Sequence, residues 1–153
     1  MTANPNAPYT RGKHVAYRTS ARVTLHCLSG CVVGELAGLI IGVSCGFSAI
    51  VTVTLAVVLA YLCGFGLALW SLASSSGLNV IGAFRVIWLG EVISIGVMEI
   101  TMNTVDWYVG GVNVGSVFDS MFWLGLAIAI PAGYFSAWPV NHFLLKSQLK
   151  RCH

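Results

Sequence analysis

Long, continuously apolar stretches alternate with short polar segments along this chain. Four stretches are long enough to cross a bilayer, because spanning about 30 Å of hydrocarbon as a helix takes about 20 residues. The predicted spans are 23–45, 49–72, 83–105 and 118–143. A transmembrane β-barrel would show alternating apolar and polar positions, which these stretches do not. The pattern therefore predicts an all-α integral membrane protein, a four-helix transmembrane bundle in a single membrane domain, 23–143.

Basic residues determine the expected orientation of the bundle. All eight Lys and Arg precede the first span, begin the third or follow the fourth, so a four-span chain carries them all on one side. The positive-inside rule makes that side cytoplasmic. We therefore expect a cytoplasmic basic N-terminal segment, 1–22, and a cytoplasmic basic tail, 144–153. Both termini are expected in the cytoplasm and the protein in the inner (cytoplasmic) membrane.

The composition excludes several classes of protein. Hydrophobic residues make up 57% of the chain and charged residues 8%, whereas soluble domains carry about 25% charged residues. So few charges cannot cover the surface of a soluble enzyme. The basic residues flank spans instead of forming a patch, so the lipid bilayer is the expected partner and nucleic acid is not.

A row of glycines recurs at every fourth position of the first span. Its members are Gly30, Gly34, Gly38, Gly42 and Gly46. Small residues at this spacing let two helix backbones approach closely in lipid. The row predicts a packing face, whose partner is either another span or a second copy of the chain in a homo-oligomer.

Acidic and sulfur-containing side chains occur inside the first and third spans. A buried carboxylate costs several kcal/mol unless it is paired, protonated or hydrated, so it is a functional candidate. Helical rise places Cys31 and Glu91 at a similar depth, and Glu99 about one turn above Glu35. The candidate metal ligands are His26, Cys27, Cys31, Glu35, Glu91, Met98, Glu99 and Met102. Further polar candidates are Asn103, Asn141 and His142.

Soft donors on two spans favour copper as the bound ion. Thiolates and thioethers prefer Cu(I). The pair Met98 and Met102, with a Gly-x3-Gly helix, resembles the selectivity motif of high-affinity copper uptake transporters. Our leading hypothesis is a small multi-pass protein that binds or moves a metal cation, Cu(I) by preference, along a polar path between spans one and three.

Three other interpretations remain open. In a structural or accessory subunit, the buried polar residues would only pack helices together. A haem protein would use two histidines, for which His26 and His142 lie at similar depth. A thiol oxidoreductase would need a reactive pair, usually Cys-x2-Cys, whereas Cys27 and Cys31 are separated by three residues. An enzymatic activity is therefore not the leading expectation.

Three motifs carry a resemblance that extends over most of the chain. They are His26…Gly30-Cys31-x2-Gly34-Glu35, Met98-Glu99-x2-Met102-Asn103 and Pro139-Val140-Asn141. Together they resemble a family of small bacterial membrane proteins catalogued as a domain of unknown function. The resemblance implies four spans and no established activity. It marks His26, Cys31, Glu35, Glu99, Met102 and Asn141.

Overall fold

The computed structural model describes residues 17–76 and 80–147, which are helical apart from short connections. The elements are α1 (Tyr17–Ser44), α2 (Ala49–Ser76), α3 (Val80–Val109), a 3-10 turn (Gly111–Asn113) and α4 (Ser120–Lys146). Each predicted span overlaps one of the four long helices, whose ends differ from the predicted bounds by up to six residues. Within the described residues, three helices are long and apolar enough to cross a membrane: α1, residues 49–74 of α2, and α4. Most of the predicted N-terminal segment and of the predicted tail lies outside the described residues.

The first two helices form a hairpin that turns sharply at Gly46. This glycine has a φ of +68°, a conformation that residues with a side chain rarely adopt. The Gly46 N–H donates to the Val43 carbonyl, and the Phe47 N–H donates to the Gly42 carbonyl. Together these bonds form a Schellman motif, which ends α1. A Cβ added at Gly46 would meet nothing within 4 Å, so within the chain this glycine forms the turn and does not pack against α2.

The other four glycines of the row bring α1 against α2. A Cβ on Gly38 would collide with the backbone of Ala56, and one on Gly34 with the backbone at Leu59. At Gly30, the added Cβ would lie 2.9 Å from the Cα of Gly64. The row is therefore occupied within the chain, so a contact between copies would need another surface.

The second hairpin, α3 and α4, packs against the first to complete the bundle. α1 contacts α2 and α4, α3 contacts α4 and α2, and α1 and α3 lie across the diagonal. The Tyr17 ring stacks on His142 at a centroid distance of 4.6 Å, so α1 begins at the end of the bundle where α4 finishes. Arg18, Arg22 and Lys146 therefore lie at this same end.

Side chains are distributed as in a membrane protein, with apolar groups outward and acidic groups inward. Large apolar side chains are exposed along all four helices, among them Val33, Trp70, Ile100 and Phe135. Four of the five acidic residues are buried: Glu35, Glu91, Glu99 and Asp106. An apolar exterior of this extent is compatible with lipid contact.

Candidate functional site

Four sulfur-containing side chains from two helices lie in one buried cluster. Cys27 and Cys31 come from α1, and Met98 and Met102 come from α3. Cys27 is 5% exposed and the other three are fully buried. Although α1 and α3 lie across the diagonal of the bundle, the core between them is rich in polarisable donors, which is the environment that soft metal ions prefer.

Two glycines on the neighbouring helices make room for this sulfur cluster. A Cβ on Gly64 of α2 would lie 2.9 Å from the Cys31 Sγ, and one on Gly133 of α4 would lie 2.7 Å from the Met102 Sδ. We did not predict either glycine as part of the site. Their only sequence signal is an isolated small residue within a span.

The contacts of the Cys27 thiol show the register of α1 against α3. Its Sγ donates to the Glu91 Oε2 at 3.7 Å and lies 4.0 Å from the Ser94 Oγ. Since the two helices run in the same direction with equal rise, Glu35 lies level with Glu99. The depth estimate from sequence had instead aligned Cys31 with Glu91, so the two helices are shifted by one turn from that expectation.

Three buried carboxylates each have an oxygen that no described residue hydrogen-bonds. They are Glu35 Oε2, Glu99 Oε1 and Asp106 Oδ1. The other oxygen of Glu99 accepts from Asn103 Nδ2 at 3.3 Å, and the same amide donates to the Glu99 carbonyl at 2.9 Å. Glu35 lies within electrostatic range of both Glu99 and Asp106. A bound cation or proton would satisfy these oxygens.

Asn141 and His142 belong to a separate polar seam between α1 and α4. Asn141 Nδ2 donates to Thr24 Oγ1 at 3.0 Å, and that hydroxyl donates to the Ser20 carbonyl. The Ser20 hydroxyl also accepts from Trp138 Nε1 at 3.1 Å and lies 3.4 Å from His142 Nδ1. This seam holds two helices together at the end where α1 begins.

A family model described as "Domain of unknown function (DUF4396)" matches residues 16–150. The chain belongs to the DUF4396 family. This confirms the resemblance to a domain-of-unknown-function family predicted from sequence. Neither a curated protein nor a solved structure matches the chain. The matched range contains all four helices of this DUF4396 protein, so the sulfur cluster and the buried carboxylates lie within the family domain.

His26 is the one predicted ligand of the DUF4396 protein that does not face the bundle interior. It is exposed, whereas the adjacent Cys27 is buried, because neighbouring residues on a helix differ by about 100° in direction. It was expected at the inner mouth beside Cys27. His142, the other histidine considered for haem, stacks on Tyr17.

The other candidate metal ligands of the DUF4396 protein are of several chemical types. In 17–76 and 80–147, no three His, Cys, Asp or Glu side chains converge closely enough to hold a metal ion. None of the four described cysteines forms a disulfide, and Cys45 and Cys63 are exposed. A metal site among these residues would therefore need donors besides His, Cys, Asp and Glu, such as the Met thioethers.

Proposed function

We propose that this protein binds Cu(I) inside the bundle and moves it between the two ends of α1 and α3. The observation that carries the proposal is that the side chains of Cys27, Cys31, Met98 and Met102 belong to one buried core cluster. Two thiols and two thioethers are a donor set that suits Cu(I) and suits hard cations poorly.

The buried carboxylates supply the negative charge that a monovalent cation needs in lipid. Glu91 lies beside the Cys27 thiol, and Glu35 and Glu99 lie further along the same two helices. Each of the last two offers an oxygen without a hydrogen-bond partner among the described residues. The proposed path therefore passes from the Cys27 and Glu91 pair through the sulfur cluster to the level of Glu35 and Glu99.

The proposal includes α3 as a fourth membrane span. α3 packs between α2 and α4, which are both apolar enough to cross a membrane. Arg18, Arg22 and Lys146 lie at one end of the bundle, and the positive-inside rule assigns that end to the cytoplasm. Capture at Cys27 would then take place on the cytoplasmic half of the path.

Cu(I) titration of the purified protein tests this function. We expect about one Cu(I) per chain in competition with bicinchoninate. The double variant Cys27→Ser/Cys31→Ser should weaken binding by roughly 100-fold or more, since even residues outside the ligand shell change metal affinity about 10–100-fold. Cys45→Ser and Cys63→Ser remove exposed thiols and serve as matched controls with unchanged affinity. Wild-type affinity in the folded double variant would refute the proposed ligands.

A structural or accessory subunit is the second candidate. The observation that favours it is the seam in which Asn141, Thr24 and Ser20 join α1 to α4 by hydrogen bonds. In this case the buried polar groups only hold helices together. Purified wild-type protein that stays folded and binds no Cu(I) would favour this function over copper handling.

A further inference from the structure

A groove between α2 and α3 opens on the side of the bundle, and one of its lining residues, Tyr61, also packs against the core that contains the sulfur cluster. Its volume is about 610 Å³, within the range of about 300–1,000 Å³ typical of small-molecule sites. Its walls are mainly apolar, with Val53, Val57 and Ile100 among the lining residues. The groove therefore has the size and the apolar surface to hold a ligand with a large hydrophobic body.

One end of the groove is closed by an aromatic side chain. The Tyr61 side chain extends from α2 to α3, where its hydroxyl donates to the Val92 carbonyl at 3.2 Å. A Cβ on Gly96 would lie 2.9 Å from this hydroxyl, so the absence of a side chain at Gly96 leaves room for the Tyr61 hydroxyl. Trp107 and Tyr108 line the other end and are exposed.

A buried carboxylate forms the polar part of the groove wall. Glu99 lines the groove and is 2% exposed, and its Oε1 accepts no hydrogen bond from the described residues. Asn103 also lines the groove, is half-buried and covers the second carboxylate oxygen.

The polar and aromatic groups of the wall indicate the chemistry of the ligand. None of the described lining residues is Lys or Arg, so no basic side chain of the groove pairs with the Glu99 carboxyl group. Aromatic faces attract cations as well, and Tyr61, Trp107 and Tyr108 all line the groove. We propose that this groove binds a lipophilic organic cation, with its charged centre at Glu99 and its apolar body between α2 and α3.

This site shares Glu99 with the proposed copper path but differs from it in ligand chemistry. An organic cation takes no thiolate or thioether ligand, so loss of Cys27 and Cys31 should leave its binding intact. The two proposals therefore fail independently: the double cysteine variant tests copper, and the groove variants below test the organic cation.

Binding of radiolabelled tetraphenylphosphonium to the full chain in lipid nanodiscs tests the proposal. We expect saturable binding to the wild type, weakened at least about tenfold in Glu99→Gln, which removes the charge and keeps the shape. Asp106→Asn removes a similarly buried carboxylate of the same helix, outside the groove lining, and should bind this cation as the wild type does. Triphenylphosphine oxide, neutral and similarly apolar, should not displace the cation.

A second pair of variants blocks the groove without touching Glu99. Thr54→Trp places an indole at a lining position of α2 and should abolish saturable binding. Val51→Trp adds the same bulk to an exposed position of α2 outside the groove lining and should bind normally. The proposal is overturned if the wild type shows no saturable binding, if folded Glu99→Gln binds equally well, or if the neutral phosphine oxide competes equally.

Discussion

At the scale of single residues, the unusual feature is the concentration of acidic side chains inside the bundle. Burial of a carboxylate without a compensating partner is costly in any low-dielectric environment. Glu35 is 1% exposed and Glu99 is 2% exposed, and both retain an oxygen without a hydrogen bond from a described residue. Groups that stabilise only the fold would be expected to have their oxygens paired. The unpaired oxygens are therefore a reason to expect a bound cation.

Glu35→Gln tests that expectation away from the groove. The amide keeps the shape of the side chain and removes its ionisable group, so the melting temperature should stay equal to or above that of the wild type. Affinity for Cu(I) should fall about 10–100-fold, the usual effect of changing a group that supports metal ligands. Both quantities can be measured on the same detergent-purified sample.

The matched control for this variant is Asp119→Asn. Asp119 is exposed and caps α4 by accepting from the Met121 N–H at 2.9 Å. Asn is an equally good N-cap, so this variant removes a carboxylate outside the bundle and should leave Cu(I) affinity unchanged. Equal affinity in Glu35→Gln and Asp119→Asn would remove Glu35 from the proposed path.

At the scale of elements, the two helical hairpins are held by different kinds of contact. α1 and α2 approach closely along the glycine row, where no side chain of α1 fits between them. α3 and α4 are joined through the loop that connects them, beneath which Asp106 packs between Gly111 and Gly125. The effect of a glycine on stability therefore depends on its position. The same substitution at two different glycines can test this.

Gly38→Ala and Gly66→Ala should have different effects on stability. The new methyl group at position 38 meets the Ala56 backbone, so the free energy of unfolding should fall by about 1–3 kcal/mol. Gly66 lies in α2 with nothing within 4 Å of an added Cβ, and Ala there should be neutral or stabilising by up to about 1 kcal/mol. Equilibrium unfolding in mixed micelles measures both. If the two variants are equally stable, close packing does not control the α1–α2 contact.

At the scale of the whole molecule, the arrangement of two hairpins brings the start of α1 and the end of α4 together. The Tyr17–His142 stack and the Ser20 hydrogen bonds join these two helix ends. The turn at 45–48 therefore lies at the opposite end. If α3 crosses the membrane with the other helices, this turn and residues 110–119 face the same compartment.

Labelling with a membrane-impermeant maleimide checks this topology on native cysteines. Cys45 is exposed in the turn after α1. We expect the basic end of the bundle to face the cytoplasm, so Cys45 should react from outside intact spheroplasts. The Cys45→Ser variant should not be labelled. The Cys152→Ser variant, which is changed in the C-terminal tail, should be labelled as the wild type is. Label lost in Cys152→Ser and kept in Cys45→Ser would reverse the orientation.

The order of residues along the chain was sufficient to predict the helices and the close packing of α1. In lipid every backbone N–H and C=O must be paired inside the protein, and four long stretches without apolar–polar alternation leave helices as the expected structure. Glycines spaced by four residues leave a strip of helix surface without side chains, against which another helix can pack closely. The same reasoning selected the sulfur and acidic residues of α1 and α3, since polar groups in apolar stretches are conspicuous.

The rotation and the axial shift of each helix became known only from the packed bundle. Apolar residues surround these helices on all sides, so their periodicity does not indicate which face is inward. In the packed bundle His26 faces outward and Cys27 faces inward, and Gly46 lies in the turn after α1. The register of α1 against α3 differs by one helical turn from the depth estimated from sequence. Gly64, Gly133 and the groove at Glu99 likewise depend on contacts between helices. Rotation and shift are determined by the side chains of neighbouring helices, which the pattern of a single helix does not contain.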